Sequence, residues 1–477
     1  MSLHLGGTVG LEVTPAKNLP EDIIREIFKC GWSNSAPSMR LQFSLLVASV
    51  CRRWRIAALD SSSLWSTLVL IISYDPSLEI LALFLSRSHS APLDIIIITH
   101  RRVKNNNRLH REPDITKGIF RLLLPHMGRW KSLSLSALTG ASLGYVNSSL
   151  RGCANVLEKL RVTYTGPIDF SSPSHPQRAP FHSSFKASNL RELTLQYVVS
   201  LPDSPIDELF PALELLSLDK SAPLTLQWRE FVQMLARLGH LRVFHLGGGR
   251  RHIMDLEEDP GTPPRVTLAA LEELSVSDLW HENVNEMFSF FSAPRLAHFS
   301  YIDPRDWSDG SEPVIENHLE FFPALRSVTL ANSRGEIDVD YDCLSQLVEH
   351  FHHVNIRGLE YAPNHVIRAA GDRQIDPTEL PLARLISISL RSCLQMYIEE
   401  LRELVLVRSD PTLAAEYGED APTALEEIRI YNDCEIGEED RAFFTNNLRV
   451  FEWLPYAADK ERRPSGSVDM VFKPRST

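Results

Sequence analysis

A short apolar pattern recurs along the chain from residue 130 to residue 453. Each copy has an apolar residue, two variable positions, a second apolar residue, one variable position and a third apolar residue. Alternation over the last three positions predicts a short strand with one buried face. Up to Leu325, successive copies start 23 to 33 residues apart. The copies are Trp130-Leu133-Leu135, Leu157-Leu160-Val162, Leu190-Leu193-Leu195, Leu213-Leu216-Leu218, Leu241-Phe244-Leu246, Leu271-Leu274-Val276, Leu296-Phe299-Tyr301, Leu325-Val328-Leu330, Phe351-Val354-Ile356, Leu385-Ile388-Leu390, Leu425-Ile428-Ile430 and Leu448-Phe451-Trp453.

This spacing is typical of leucine-rich repeats, in which each unit adds a strand and a returning helix or turn. Residues 228–238 have the apolar periodicity of such a helix, and residues 64–72 and 95–98 are apolar runs of strand length. The ninth position of a regular repeat is Asn or Cys, and only Cys393 fills it here. We therefore expect an irregular solenoid with long loops; a chance recurrence in another β-containing fold is the alternative.

The first 66 residues have a helical pattern instead. Residues 19–22, Leu-Pro-Glu-Asp, predict a helix start with proline at the first helical position and two acids in the first turn. Gly31 is expected to stop this helix. The apolar stripe of the helix is formed by Ile23, Ile24, Ile27 and Phe28.

A second helical region is predicted over residues 41–59, followed by a short turn in which residues 60–63 cap Leu64-Trp65. Residues 1–70 hold seven basic and five acidic side chains, whereas the whole chain has a formal charge of -12. This change in charge and the change in pattern place a domain boundary near residue 66.

Composition narrows the classes of function. The net negative charge argues against nucleic acid or an anionic membrane as the main partner. No apolar run reaches the roughly 18 residues of a membrane span, and the N-terminus lacks the pattern of a secretory signal. Six widely spaced cysteines suit neither a disulfide framework nor a zinc site. We expect a cytoplasmic or nuclear protein without a metal or cofactor.

The helical segment resembles an F-box. Three sequence blocks carry the resemblance in order: LPEDIIREIF over residues 19–28, VCRRW over residues 50–54 and SSLW over residues 62–65. The combination with leucine-rich repeats is also an F-box family architecture. The resemblance implies an α/β protein with an F-box at 17–66 and a solenoid of parallel strands with helices and turns at 67–455. Tails are expected at 1–16 and 456–477.

F-box proteins of this kind are substrate receptors of SCF ubiquitin ligases, which are cullin-RING ligases. The resemblance implies an adaptor rather than an enzyme, with the F-box on a Skp-type adaptor and the repeats on a target protein. A non-degradative F-box scaffold remains an alternative. For Ile23, Leu46 and Trp65, a place in the internal core is as well supported by the sequence as contact with the adaptor. The adaptor contacts implied by the family pattern are Leu19, Pro20, Ile24, Ile27, Phe28, Leu45, Val50, Trp54, Leu64 and Trp65.

The surface expected to recognise the target is the exposed face of the repeat sheet. Its candidates are the charged and histidine side chains at variable positions of the repeats. Their charges have both signs, and no arginine cluster indicates a phosphate reader. They are Arg161, Arg191, Arg242, His245, Glu273, His298 and Arg326.

Other motifs have simpler explanations. Residues 140–144, Gly-Ala-Ser-Leu-Gly, fit the GxSxG pattern, which leaves a serine hydrolase acting through Ser142 as a third functional class. Residues 247–251, Gly-Gly-Gly-Arg-Arg, lack the ending of a phosphate loop and predict a flexible turn. His352-His353 has no third ligand at a suitable spacing. The basic stretch 100–111 is expected to be a solvated loop.

Overall fold

A computed structural model shows a mixed α/β protein with a large parallel sheet. The chain divides into two compact units. Unit 1 comprises residues 1–193 and 201–210, and unit 2 comprises residues 194–200 and 211–477. The sequence predictions for both tails, residues 100–110 and 249–251, His352 and Cys393 fall outside the described part of the chain. The structure describes residues 19–72, 76–99, 111–166, 184–196, 206–219, 228–248, 265–279, 281–302, 316–331, 353–357, 384–391, 398–412, 415, 423–431 and 436–454.

Unit 1 begins with three helices, α1 (Glu21–Asn34), α2 (Pro37–Val50) and α3 (Arg52–Asp60), and a 3₁₀ turn (Ser62–Trp65). Together they are called the helical segment, residues 19–65. Pro20 is the N-cap of α1, not its first helical residue, and its carbonyl accepts the Ile24 N–H at 3.2 Å. Two further sequence predictions within this segment were wrong.

Gly31 does not stop α1. A Cβ at this position would lie 2.5 Å from Cζ of Phe43, so the missing side chain lets the Phe43 ring approach the helix. The predicted single helix over 41–59 is two helices, because Cys51 is extended with φ −157° and ψ 172°. The Cys51 sulfur accepts the backbone N–H of Trp54 and caps α3.

The rest of unit 1 alternates strands with helices. The strands β1, β2, β3 and β5 pair in parallel, in that order, and the two-residue strands β4 and β6 form a separate pair. The unit boundary lies within β7. The elements are β1 (Thr67–Ile71), α4 (Leu78–Arg87), β2 (Leu93–Ile98), α5 (Glu112–Leu123), a 3₁₀ helix (Leu124–Arg129), β3 (Trp130–Ala137), α6 (Gly140–Ser149), β4 (Gly152–Cys153), β5 (Lys159–Tyr164), β6 (Phe185–Lys186), β7 (Glu192–Gln196) and α7 (Ile206–Leu209).

Unit 2 continues the same organisation. Its long strands pair in parallel in chain order from β8 to β18, and the short β10 and β12 form their own pair. The elements are β8 (Leu215–Asp219), α8 (Trp228–Arg237), β9 (Val243–Gly247), β10 (Val266–Thr267), β11 (Glu273–Ser277), α9 (His281–Ser289), β12 (Phe291–Ser292), β13 (His298–Ile302), a 3₁₀ helix (Glu316–Phe321), β14 (Ser327–Ala331), β15 (His353–Arg357), β16 (Ser387–Arg391), α10 (Ile398–Arg408), β17 (Glu427–Tyr431), α11 (Glu438–Asn447) and β18 (Val450–Leu454).

Every copy of the apolar pattern coincides with a strand, as the alternation predicts. A recurring turn fixes the position of the first apolar residue of a copy. The backbone N–H of this residue donates to the carbonyl three residues earlier, as in Leu157 to Ala154 and Leu296 to Ala293. The next N–H bonds a carbonyl at the entry of the preceding strand, as in Glu272 to Arg242. Where the structure describes their burial, the second and third apolar residues are buried and form the core, except for the half-buried Phe451.

Gly248 is a site of close packing, where the sequence predicts a flexible turn. Its N–H bonds the Ser277 carbonyl at 2.6 Å, and a Cβ would lie 2.2 Å from the backbone oxygen of Asp278. The glycine is therefore needed for the approach of two backbone segments within unit 2.

We expect Gly248→Ala to destabilise the protein by about 2–4 kcal/mol, because backbone atoms at both sides must move. Gly239→Ala is the matched control, since a Cβ there has no atom within 4 Å. Thermal and urea unfolding of both variants check the prediction. Equal stability of the two variants would contradict it.

Candidate interaction surfaces

Exposed apolar side chains are concentrated on the helical segment. Twelve large apolar residues are exposed in the described part of the chain, and seven of them lie between residues 23 and 56. Several exposed apolar side chains within one small segment are typical of a region that binds another protein. The seven residues, called the apolar surface below, are Ile23, Ile27, Met39, Leu45, Leu46, Val50 and Ile56.

The four apolar residues of the α1 stripe do not share one environment: two are buried and two are exposed. Ile24 and Phe28 are buried, at 0% and 1% exposure, and Ile23 and Ile27 are exposed. The Phe28 ring packs edge-on against half-buried Trp54 on α3, with centroids 5.1 Å apart. Aromatic pairs of this geometry stabilise a small core. Ile24 and Phe28 hold the helices together and do not present their side chains to a partner.

Leu64 and Trp65 are also interior residues. Trp65 has no exposed surface, its indole N–H donates to the Ala58 carbonyl at 2.8 Å, and its ring lies 4.9 Å from that of Phe84 on α4. The Leu64 carbonyl accepts the Ser44 hydroxyl at 2.6 Å. The 3₁₀ turn thus attaches the helical segment to the first strand and helix of unit 1.

The sequence-predicted adaptor positions therefore separate into three groups. Leu19 and Trp54 are half-buried. Ile24, Phe28, Leu64 and Trp65 are buried and support the segment from within. Pro20, Ile27, Leu45 and Val50 are exposed to solvent. Of the three residues that the sequence left open, only Trp65 is core.

A second surface is the outward face of the strands. Side chains alternate along a strand, so the variable positions lie opposite the buried apolar ones. In unit 2 the registers align the position between the second and third apolar residues of successive strands. This aligned set, called the polar row below, comprises Ser217, His245, Ser275, Ser300, Thr329, Asn355, Ser389, Arg429 and Glu452.

Three of the four arginines predicted for target recognition stand at the entries of strands. Arg191, Arg242 and Arg326 are exposed and come directly before or at the entry of their strands. Arg242 is already engaged: its guanidinium Nη2 lies 2.5 Å from Oε2 of Glu272, and Arg295 lies 3.2 Å from Oε1 of the same carboxylate. The Glu272 pKa is held down, chiefly by the hydrogen bond from Arg242.

The other candidates lie on the strands themselves. Arg161 is exposed on β5 in unit 1. In unit 2, Glu273 of β11 stands directly opposite His298 of β13 in the register. Burial lowers the pKa of His245, and the charge of Glu273 partly offsets this effect. His245, Glu273 and His298 therefore occupy three neighbouring strands, and His245 is neutral at neutral pH.

The sequence candidates for target recognition included only charged and histidine side chains. They therefore left out the small members of the polar row, which include Ser217, Ser275, Ser300 and Thr329. The position itself is readable from the sequence, since it is the single variable residue between the last two apolar residues of each copy. A search by position finds the row without the structure.

Ser142 occupies the first turn of α6 and is fully buried. Its hydroxyl lies 2.8 Å from Oγ1 of Thr139, the N-cap residue of the helix, and its side chain is therefore inaccessible to substrate in this structure. Nearby, Oε1 of buried Glu112 accepts the N–H groups of Leu138 at 3.0 Å and Thr139 at 3.4 Å. Burial raises the pKa of Glu112, although these hydrogen bonds oppose the shift.

The raised pKa of Glu112 predicts that the free energy of unfolding depends on pH. The folded pKa lies above the ordinary value of 4.5, so the native state binds more protons and the free energy of unfolding falls as pH rises through that interval. Glu112→Gln keeps an oxygen for the two N–H groups and cannot ionise. Only the wild type should therefore lose stability through ionisation at this site. We expect the free energy of unfolding of the Glu112→Gln variant, measured relative to wild type, to increase between about pH 4 and pH 8. Urea unfolding across this range tests it; a pH-independent difference would contradict it.

Within the described residues, no group of three or more His, Cys, Asp or Glu side chains is placed to hold a metal ion. No described helix has the length and apolar character needed to cross a membrane. Comparison with known proteins gives no match to any family model and none to any curated protein.

Proposed function

We propose that this protein is the substrate-recognition subunit of an SCF ubiquitin ligase. The helical segment binds a Skp-type adaptor, and the repeat strands bind a target protein. The chain then acts without catalytic residues, since a separate conjugating enzyme carries the ubiquitin. The single observation that supports this proposal most strongly is the apolar surface on three short helices whose sequence blocks resemble an F-box.

The physical argument for a partner does not depend on the resemblance. Ile27, Leu45 and Val50 keep 41%, 44% and 54% of their surface exposed. Burying such side chains against a partner is favourable by roughly 25 cal/mol per Å² of apolar surface removed from water. The exposed, charged Arg52 begins α3, two residues after Val50 in the chain. An apolar centre with a charged rim is the usual anatomy of a protein interface.

The repeat region supports the second half of the proposal. Parallel strands that each follow the same entry turn make a repeating, one-dimensional array. Such an array presents one variable position per strand in a line, as the polar row does. A leucine-rich solenoid is the architecture we propose for this arrangement.

Co-expression of the intact chain with its Skp-type adaptor tests the proposal. We expect a stable complex on size exclusion that weakens on the double change Leu19→Ala and Pro20→Ala. Absence of any adaptor from the purified intact chain would overturn the proposal. A target half-life that is unchanged when adaptor binding is lost would favour a non-degradative scaffold instead.

A further inference from the structure

The last strand of unit 2, β18, lies at the edge of its sheet. Within the described residues, β17 is the one strand that pairs with β18. The Val450 N–H donates to the Glu426 carbonyl at the entry of β17, at 3.1 Å. Because the backbone groups of a strand alternate in direction, the N–H and C=O of Phe451 point away from β17. This side of β18 can therefore accept a further strand.

The side chains at this edge are also less well covered than those of the preceding strands. Phe451 is half-buried, whereas the second apolar residue of every other copy of the pattern is buried. The Phe451 ring stacks on Phe444 of α11, with centroids 4.9 Å apart, so unit 2 covers one face of the ring. In a repeat array each unit covers its neighbour, and the terminal unit needs a capping element. The half-buried ring and the strand edge together indicate where such an element binds.

The occupant that fits this edge best is a segment of the same chain. Residues 455–477 follow β18 in the sequence and lie outside the described part of the chain. Residues 468–473 within them read Val-Asp-Met-Val-Phe-Lys, with apolar side chains at the first, third and fifth positions and charges at the second and sixth. This alternation predicts a strand with one apolar face. A strand over residues 468–472 would have the five-residue length of β18 and of the other long strands of unit 2.

The connection to this segment is long enough for the pairing. The thirteen residues 455–467 separate β18 from Val468. When extended, a connection of that length spans about 40 Å. Neighbouring strands of a sheet lie only about 4.8 Å apart, so the segment reaches the edge in either strand direction.

Charge favours the same occupant. Residues 455–477 hold five basic and three acidic side chains. The described residues between 423 and 454, which form the end of unit 2, hold six acidic and three basic ones. Opposite net charges favour contact between these two parts. A second copy of the chain fits less well, because pairing two β18 edges brings together two surfaces of the same negative charge.

We infer that residues 468–472 bind the edge of β18 as an additional strand and cover the Phe451 ring. The added strand bonds the backbone N–H and C=O of Phe451. Its apolar side chains, Val468, Met470 and Phe472, lie on the buried side, and Val471 lies on the outward side. The segment thereby closes the sheet to strands of other chains, for which an open edge is a template. The pairing does not depend on the proposed function.

Hydrogen exchange of the intact chain tests the inference, with electron-transfer fragmentation and mass spectrometry to resolve single amides. In the wild type, Phe451 and alternate amides of residues 468–472 should exchange at least about tenfold more slowly than in an unstructured chain. Met470→Asp should abolish this protection, because the pairing would bury its carboxylate beside Phe451. The Glu452 amide is directed towards β17 and should stay protected in both proteins.

Val471→Asp is the matched control, because it adds the same charge one position away on the outward side. It should keep the protection of Phe451. Rapid exchange of Phe451 or of the whole segment in the wild type would overturn the inference, as would equal protection in the wild type and Met470→Asp. Loss of protection in Val471→Asp would contradict the assigned faces and overturn it too. Protection that falls on about tenfold dilution of the protein would show that a second copy occupies the edge instead.

Discussion

Replacing Ile27 or Leu45 by aspartate is expected to weaken adaptor binding by at least about 30-fold, which corresponds to about 2 kcal/mol. Both side chains are exposed on the apolar surface, at 41% and 44%. In the complex each carboxylate would be buried without a partner, which costs far more than the lost apolar contact. In the free protein each carboxylate stays in water, so stability should remain within about 0.5 kcal/mol of wild type.

Leu406→Asp is the matched control for these variants. Leu406 is 44% exposed on α10, outside the helical segment, so the same change there should leave adaptor binding unaltered. Titration by isothermal calorimetry gives the three affinities, and thermal unfolding verifies that each variant is folded. Wild-type affinity in both helical variants would show that the adaptor does not use this surface.

Trp65→Ala is expected to lower the free energy of unfolding by about 3–5 kcal/mol. The change removes a fully buried side chain, the hydrogen bond to Ala58 and the edge contact with Phe84. It also removes the ring over which the Arg87 guanidinium lies, 4.5 Å from the centroid. The helical segment would lose its attachment to α4 and loosen before the remainder of unit 1.

Trp65→Phe distinguishes packing from hydrogen bonding. Phenylalanine keeps most of the ring contact and loses the indole N–H, so a cost of about 1–2 kcal/mol is expected. Urea unfolding measures both variants, and hydrogen exchange of the β1 amides reports loss of local protection. A Trp65→Ala protein that keeps wild-type stability but fails to bind the adaptor would reverse the assignment of Trp65 to the core.

The strands could be predicted from the sequence because one physical rule governs them. Alternating apolar residues bury one face of a short strand, and the rule needs no information from distant residues. The helical segment was predicted less well. Ile23 and Ile24 are adjacent in the same stripe, and which of them is buried depends on how three helices pack, as the Phe28–Trp54 contact illustrates.

The ion pairs on the outward face of the strands could not be predicted from the sequence for a similar reason. The sequence identifies Arg242 and Glu272 as variable positions, but their ion pair depends on the register of strands 30 residues apart. The break at Cys51 was missed because no proline or glycine marks it. These features follow from tertiary packing, which the local pattern does not contain.

The recurring entry turn affects which insertions, deletions and substitutions the sequence can accept. Because backbone bonds such as Leu296 to Ala293 and Glu272 to Arg242 fix the start of each strand, the length of the intervening connection is free to vary. A connection can therefore gain or lose residues while the outward position keeps its place in the line. Under the proposed function, single substitutions at the outward positions would change recognition one strand at a time, which would make the array a suitable scaffold for engineering new specificities.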